Sequence, residues 1–217
     1  MIAWLAGASG LVGGQLLNLL LNDASVTRVV TLGRSEFKRQ HAKWQQQVVD
    51  FGAIAPGLAA PTVAFCCLGS TIKVAGSKQA FARVDHDFVL SFAQAAKAAG
   101  AATFVLVSSI GASAKAGSFY LRVKGQTESD VQALGFASVY VARPSMLLGH
   151  RREFRLGERL AIPLFYGLWP LLIGPLKKYR AIQAQVVAQA MLRAASQPKT
   201  GFHILESDAL QRLGRAP

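Results

Sequence analysis

The sequence predicts an α/β protein in which a doubly wound parallel sheet lies between two layers of helices. Short β-branched or fully apolar runs alternate along the chain with longer segments of helical character, and this alternation is typical of βαβ units and a three-layer α/β/α architecture. A glycine-rich turn separates the first strand from the first helix. With 217 residues, of which 52% are hydrophobic, the chain is too apolar for a disordered protein and has a length close to that of one domain.

The elements are expected in a regular order. Strands are predicted at residues 2–6, 26–32, 47–49, 62–67, 103–107 and 139–142, with 201–205 as a candidate last strand. Helices are predicted at residues 11–21, 77–99, 119–134 and 180–195, and Gly100 and Gly135 are typical helix C-terminal signals after the second and third of them. Since no internal repeat or linker interrupts this order, residues 1–217 are treated as a single domain.

The turn after the first strand predicts a phosphate-binding site. Residues 7–13 read GASGLVG, which places glycines at the spacing G-x-x-G-x-x-G. Glycines there allow a tight turn and a close approach of the backbone to a pyrophosphate, and the helix that follows offers free N–H groups and the positive end of its dipole. The residues expected to contact a dinucleotide are Gly7, Ser9, Gly10, Leu11, Val12 and Gly13.

The end of the second strand bears on the choice of cofactor. A carboxylate at this position commonly accepts a hydrogen bond from the ribose 2′-OH of NAD, but here the strand ends in Leu32, Gly33 and Arg34. An Arg cannot accept that hydrogen bond, although it can bind a 2′-phosphate. The sequence therefore favours NADP(H), with NAD(H) as the alternative because Glu36 follows closely.

A candidate catalytic group lies on the third predicted helix. Tyr120 and Lys124 are four residues apart, so their side chains share one face of the helix. A Lys ammonium beside a phenol favours the ionised phenol and makes it usable as a general acid or base. Ser108 and Ser109 follow the fifth strand, at the sheet edge where open α/β sheets bind ligands, and a hydroxyl there can bind a substrate oxygen.

These motifs, taken in order, resemble the short-chain dehydrogenase/reductase superfamily in its atypical, NAD(P)-binding branch. The resemblance is greatest to the Tat-interacting oxidoreductase-like proteins and their bacterial relatives, and it is carried by the stretches CCLGST, RVDHDFVLSFAQAAKAAGA, LVSSIGAS, FYLRVKGQTE and ARPSMLLGHRREFRLGE. The resemblance covers essentially the whole chain. It implies a Rossmann-like fold and, in the superfamily pattern, ranks Ser109 above Ser108 as the active serine.

The resemblance also implies cofactor contacts after the third, fourth and sixth strands. The residues concerned are Asp50 and Phe51 beside the adenine, Leu68, Gly69 and Ser70 along the cleft, and Arg143, Pro144 and Met146 beside the nicotinamide. Some NADP-preferring members carry a basic residue directly after the glycine turn. This chain has Gly14 and Gln15 there, which leaves Arg34 with most of that role. Residues 151–179 are expected to form a small substrate-side segment, because a large substrate domain is absent from the sequence.

Other features of the sequence suggest no further chemistry. Cys66 and Cys67 are adjacent on a strand and are expected in the core and at the cleft edge, and the four His residues show no metal-ligand spacing. Residues 160–176 are apolar but contain three prolines, which would break a spanning helix. They are expected to pack on the core or line a pocket, with a weak membrane-surface contact as the alternative.

The net charge of +13 is unevenly distributed. Residues 34–43 carry +3 and residues 151–180 carry +5, which favours a phosphorylated ligand first and an anionic substrate or membrane surface second, and leaves nucleic acid without a specific site. The leading hypothesis is an NADP(H)-dependent oxidoreductase acting on a small carbonyl or alcohol, and the alternative is a non-catalytic NADP(H) sensor that regulates a partner protein. A homodimer is left open. Since the first basic residue is Arg28, the start lacks the basic segment of a signal peptide, and a cytoplasmic protein is expected.

Overall fold

A parallel sheet of seven strands forms the centre of the protein, described by a computed structural model over residues 1–54, 57–149 and 174–216. The strands are β1 (Ile2–Ala6), β2 (Arg28–Gly33), β3 (Trp44–Val48), β4 (Val63–Cys66), β5 (Thr103–Val107), β6 (Ser138–Arg143), the short β7 (Leu147–Leu148) and β8 (Ile182–Gln183), and β9 (Gly201–Glu206). The large sheet has the order β3-β2-β1-β4-β5-β6-β9, all neighbours parallel, while β7 and β8 form a separate parallel pair. The predicted doubly wound α/β fold is confirmed.

Helices connect these strands and cover both faces of the sheet. They are α1 (Leu11–Asn22), α2 (Ile72–Ala75), α3 (Lys78–Ala82), α4 (Phe88–Ala98), α5 (Phe119–Ala133), α6 (Ala184–Ser196) and α7 (Ser207–Arg215). A π-helical segment, Arg83–Asp87, joins α3 to α4, and a 3-10 helix spans Gly174–Tyr179. In the part of the chain that the structure describes, no helix is long and apolar enough to cross a membrane.

Two apolar layers form the core, one on each face of the sheet. Alternate residues of β1 point to opposite faces, so that Leu5 joins the layer under α1 and α6, and Trp4 joins the layer under α4 and α5. Strand β1 pairs with β2 on one side and with β4 on the other. The order of the strands therefore changes direction at β1, and crevices at such switch points are where open α/β sheets bind ligands.

Several predicted element boundaries were wrong. Strand β3 begins at Trp44 rather than 47, because an edge strand needs only one neighbour and tolerates its three Gln residues. The helix predicted at 77–99 is divided into α3, the π-helical segment and α4, and the helix predicted from 180 begins at Ala184 because the preceding residues pair as β8. The predictions missed α2, α7, β7 and β8, which are short or strongly polar.

The substrate-side segment predicted at 151–179 falls largely outside the described residues, as does most of the apolar stretch 160–176. Within the described part, residues 174–179 form the 3-10 helix. The single-domain interpretation and the role of this segment stay predictions.

Candidate active site

The turn between β1 and α1 has a shape that only glycine allows at two of its positions. Gly7 has a φ of +81°, and a Cβ on it would lie 2.5 Å from the carbonyl carbon and oxygen of Cys67. A Cβ on Gly13 would collide with the Gly7 carbonyl oxygen. Gly10 is the residue before α1, and no side chain caps the helix there. The first N–H groups of α1 are thus left for a ligand, and the turn fits a pyrophosphate.

A cleft of about 1290 Å³ lies beside this turn, at the carboxyl ends of β1, β4 and β5. It brings together many of the residues singled out in the sequence. Those that line it are Ser9, Gly10, Leu11, Val12, Leu68, Gly69, Ser70, Ser108, Ser109, Tyr120, Lys124, Pro144 and Met146. Cys67 lines the cleft edge and Cys66 is in the core, as expected.

Tyr120 and Lys124 lie on the first turns of α5 and face this cleft. The Tyr120 ring packs against Phe81, with ring centroids 5.3 Å apart, while Lys124 is buried. The helical spacing that predicted a shared face therefore delivers both side chains to one wall.

The two serines after β5 differ in their surroundings. Ser108 is buried, and its hydroxyl donates a hydrogen bond to the carboxylate of Glu128. Ser109 is partly exposed, and its hydroxyl makes one long contact, 3.4 Å, to the Ile110 carbonyl oxygen. Ser109 is therefore the serine that is better placed to bind a substrate oxygen.

Asp85 is a buried residue of this site that the sequence analysis missed. It lies in the π-helical segment and is fully buried. Its Oδ1 is 2.8 Å from Lys124 Nζ, and its Oδ2 accepts the Ser70 N–H at 2.8 Å. Burial raises the pKa of Asp85, against the opposing effect of Lys124. Burial alone would lower the pKa of Lys124, but the Asp85 carboxylate reverses this effect and raises it, so the lysine is charged at neutral pH.

Arg143 is held away from the cleft wall by carboxylates. Its guanidinium donates hydrogen bonds to both oxygens of Glu128, and Nη1 lies 3.7 Å from Glu206 Oε1. Glu128, one turn after Lys124 on α5, thus links β5, α5 and β6 through Ser108 and Arg143. Arg143 is not among the described residues that line the cleft.

The expected adenine and 2′-phosphate contacts also lie apart from the cleft lining. Arg34 and Asp50 are exposed, and Phe51 is buried in the core against Phe88, with ring centroids 5.9 Å apart. This end of the cleft is lined instead by Asn18 and Phe37. In the sequence, Asn18 is a polar residue within the leucine-rich run of α1, and this pattern could have indicated that it faces the cleft.

A second basic residue lies close to this end of the cleft. Arg39 Nη1 donates a hydrogen bond to Asn18 Oδ1 at 2.9 Å. The basic segment 34–43 is therefore connected to the cleft lining through Arg39, whereas Arg34 follows β2 directly.

The sequence is similar to those of other proteins along nearly its full length, although no family model matches it. It is 37% identical to the protein HTATIP2 of Rattus norvegicus over 98% of this chain and 88% of that protein. It is 32% identical to the protein fmp52, mitochondrial, of Emericella nidulans over 91% of this chain and 88% of that protein.

Solved structures share the fold at much lower identity. The chain matches MoeE5 in complex with UDP-glucose and NAD with a TM-score of 0.69 at 16% identity, over 94% of this chain and 75% of that one. It matches the human epimerase family protein SDR39U1 with NADPH with a TM-score of 0.63 at 18% identity, over 94% and 73% of the two chains. The first of these structures is a complex with NAD and the second a complex with NADPH.

The relatives contradict the cytoplasmic location predicted from the sequence. Several fungal relatives are named as mitochondrial proteins. The prediction was wrong because it relied on the lack of a basic segment at the start, and that observation bears on secretory signal peptides alone.

Proposed function

We propose that this chain, which belongs to the family of the rat protein HTATIP2, is an NADP(H)-dependent oxidoreductase that acts on a small carbonyl or alcohol. Membership of this family confirms the resemblance seen in the sequence, and the fold is that of NAD(P)-binding short-chain dehydrogenase/reductase-type proteins. One observation supports catalysis above all others: Tyr120, Lys124 and Ser109 line the same cleft as the glycine turn.

The residues of the turn fit a dinucleotide. The backbone of residues 7–13 and the start of α1 would hold the pyrophosphate, and Leu68, Gly69 and Ser70 would border the rest of the molecule. Pro144 and Met146 would lie beside the nicotinamide end. Arg39, which donates a hydrogen bond to Asn18 of the cleft lining, supports NADP(H) over NAD(H), and Arg34 precedes it on the same loop.

The chain's own groups have separate roles in the proposed reaction. A nicotinamide cofactor, when bound, supplies or accepts the hydride. Tyr120 moves a proton between its hydroxyl oxygen and the substrate oxygen, and Lys124, one helical turn away, keeps a positive charge in the same cleft wall. Ser109 donates a hydrogen bond to the same substrate oxygen and orients it.

The substrate is proposed to be a small carbonyl compound, with an anionic one favoured by the basic segment 151–180. A homodimer and a weak membrane contact of residues 160–176 stay predictions. In the alternative function, the chain senses NADP(H) and regulates a partner protein without turnover.

Replacement of Tyr120 by Phe tests catalysis directly. We expect Tyr120→Phe to bind NADPH as the parent does, measured by cofactor fluorescence, and to lose turnover on a panel of carbonyl compounds by about 100-fold or more, since it removes the proton donor. The matched control is Tyr140→Phe. Tyr140 accepts the Lys199 N–H at 2.6 Å on β6, away from the cleft, so its loss leaves turnover in place.

Two outcomes would contradict the proposal. Equal turnover by Tyr120→Phe and the parent would remove Tyr120 from the reaction. NADPH binding by a parent that turns over no member of a broad panel would favour the sensor instead.

A further inference from the structure

The carboxylate of Asp85 is deeply buried, although the neighbouring charged residues on its helix are exposed to solvent. Arg83 and Asp87, two residues before and after it, are exposed, whereas Asp85 is fully buried. A buried carboxylate is unfavourable unless it is paired and hydrogen-bonded. Both of its oxygens are used: Oδ1 faces Lys124 Nζ, and Oδ2 accepts the Ser70 N–H, each at 2.8 Å.

We propose that Asp85 is a positioning residue that holds the Lys124 ammonium in the cleft wall and fixes the loop after β4 to the same point. The inference rests on the proposed function, because it assigns a role in the site of that reaction. Asp85 acts through Lys124 and Ser70.

The buried charge on Lys124 requires a countercharge. Its side chain is 7% exposed, and an ammonium that is so far buried needs a nearby negative charge. The other titratable groups that act on Lys124 are Tyr120 on α5 and Cys66 at the end of β4. Burial raises the pKa of the Cys66 thiol to about 12, so this thiol is neutral. Asp85 therefore supplies the countercharge.

Asp85 joins two neighbouring parts of the cleft lining. Lys124 lies on α5, and Ser70 lies in the loop after β4, which approaches Lys124 so closely that a Cβ on Gly69 would be 3.5 Å from Nζ. One carboxylate binds both. The backbone around Asp85 is itself fixed to α5, because the Thr127 hydroxyl donates a hydrogen bond to the Asp85 carbonyl oxygen at 2.9 Å.

The helix that carries Asp85 is distorted at this residue. Between α3 and α4 the chain adopts a π-helix over Arg83–Asp87, a geometry that is rare and is found frequently at functional sites. The wider turn occurs at the residues around Asp85, where the carboxylate contacts α5 and the loop after β4. The distortion and the buried ion pair therefore coincide.

The variant Asp85→Asn separates charge from shape. The Asn oxygen can still accept the Ser70 N–H, but the countercharge of Lys124 is gone. The matched control is Asp87→Asn, which removes the same charge two residues away, where the exposed Asp87 contacts His86 at 2.7 Å. A double-mutant cycle with Lys124→Met isolates the pairing of Asp85 with Lys124.

Unfolding of the cofactor-free protein gives a readout that needs no turnover. In the parent, Asp85 raises the pKa of Lys124, so the pair stabilises the fold at neutral pH and is lost as the pH rises from the ordinary lysine pKa of about 10.5 through the folded pKa. The pair also weakens in acid, where Asp85, whose pKa is raised by burial, takes up a proton. The destabilisation caused by Asp85→Asn is therefore largest at neutral pH and shrinks in the lysine range. The destabilisation caused by Asp87→Asn behaves differently, because it comes from the contact of Asp87 with His86. Burial acts to lower the pKa of His86, but Asp87 and Asp130 outweigh it and raise that pKa, so this destabilisation disappears as the pH rises through the pKa of His86.

The loaded enzyme gives a second readout. We expect Asp85→Asn to weaken NADPH binding about tenfold and to move the alkaline limb of the pH profile of kcat/KM to lower pH by about one unit or more, because burial of Lys124 is then unopposed. Asp87→Asn should leave both unchanged.

The outcomes distinguish this inference from the proposed function. If the unfolding cost of Asp85→Asn does not vary with pH, or is the same in the Lys124→Met background, Asp85 only fills space and the inference is overturned. If the parent shows the expected pairing but turns over no substrate, the proposed reaction fails, and the effect of Asp85→Asn on NADPH binding then decides the inference.

Discussion

Tyr120, Lys124 and Asp85 show how far single residues of the site can be found from sequence. The first two are one helical turn apart, so local periodicity alone predicts that they share a face. Asp85 meets Lys124 only because α5 and the π-helical segment pack together. No spacing within the chain indicates that contact, and an acidic residue in an amphipathic helix is normally exposed.

At the same scale, Gly13 should admit no side chain. We expect Gly13→Ala to abolish NADPH binding and to lower the melting temperature, because its Cβ would collide with the Gly7 carbonyl oxygen and deform the turn. The control is Gly14→Ala, whose Cβ would lie 3.4 Å from the Ala8 carbonyl oxygen. Thermal unfolding of that variant should be unchanged or slightly improved, by the helix preference for Ala of about 1 kcal/mol. Equal melting temperatures of the two variants would count against a tight turn.

Helix α5 performs two tasks with successive turns of one face. Tyr120 and Lys124 face the cleft, and Glu128 binds Ser108 and Arg143 below it. The sequence indicated the helix and its first two functional residues, because a helical period is a local property. The resemblance implied that Arg143 lies beside the nicotinamide. Its contact with Glu128 was not foreseen, because that contact depends on how β6 packs beside α5. Element boundaries failed for the same reason where α3, the π-helical segment and α4 read as one helix.

Removal of Glu128 should loosen this junction. We expect Glu128→Ala to lower the free energy of unfolding by about 3 kcal/mol, because it leaves the Ser108 hydroxyl and much of the Arg143 guanidinium without their partner. Urea unfolding measures the change. Gln126→Ala, at an exposed position of the same helix, should cost under about 0.5 kcal/mol. A similar loss in both variants would mean that Glu128 contributes no more than an exposed residue.

At the scale of the whole molecule, the net charge of +13 has a partial structural location. Arg34 follows the end of β2 and Arg39 binds Asn18 at the cleft, whereas Lys43 lies beside Val29 at the start of β2. The second basic segment, 151–180, falls largely outside the described residues. Total charge was predictable by counting, but its relation to a ligand depends on how the loop after β2 folds against α1.

Salt should therefore act unequally on the two cofactors. The extra phosphate of NADPH would lie near exposed basic side chains, and exposed charges are screened over about 10 Å at 0.1 M salt. We expect the Kd for NADPH to rise more steeply with salt concentration than the Kd for NADH, measured by fluorescence titration. Arg39→Gln should reduce that difference, with Arg28→Gln, at the opposite end of β2, as the control. Equal salt dependence for the two cofactors would argue against 2′-phosphate recognition by this segment.

The packing of α1 against α6 has a consequence for how the protein is made. Helix α1, which follows the phosphate-binding turn, is among the first parts of the chain to leave the ribosome. Helix α6, which packs against it, emerges only after strands β1 to β6. Until then, the leucines of α1 that pack with Met191 have no partner on that side. The nascent chain therefore carries an exposed apolar surface beside its ligand-binding turn for most of its synthesis, and this surface is a natural target for chaperones.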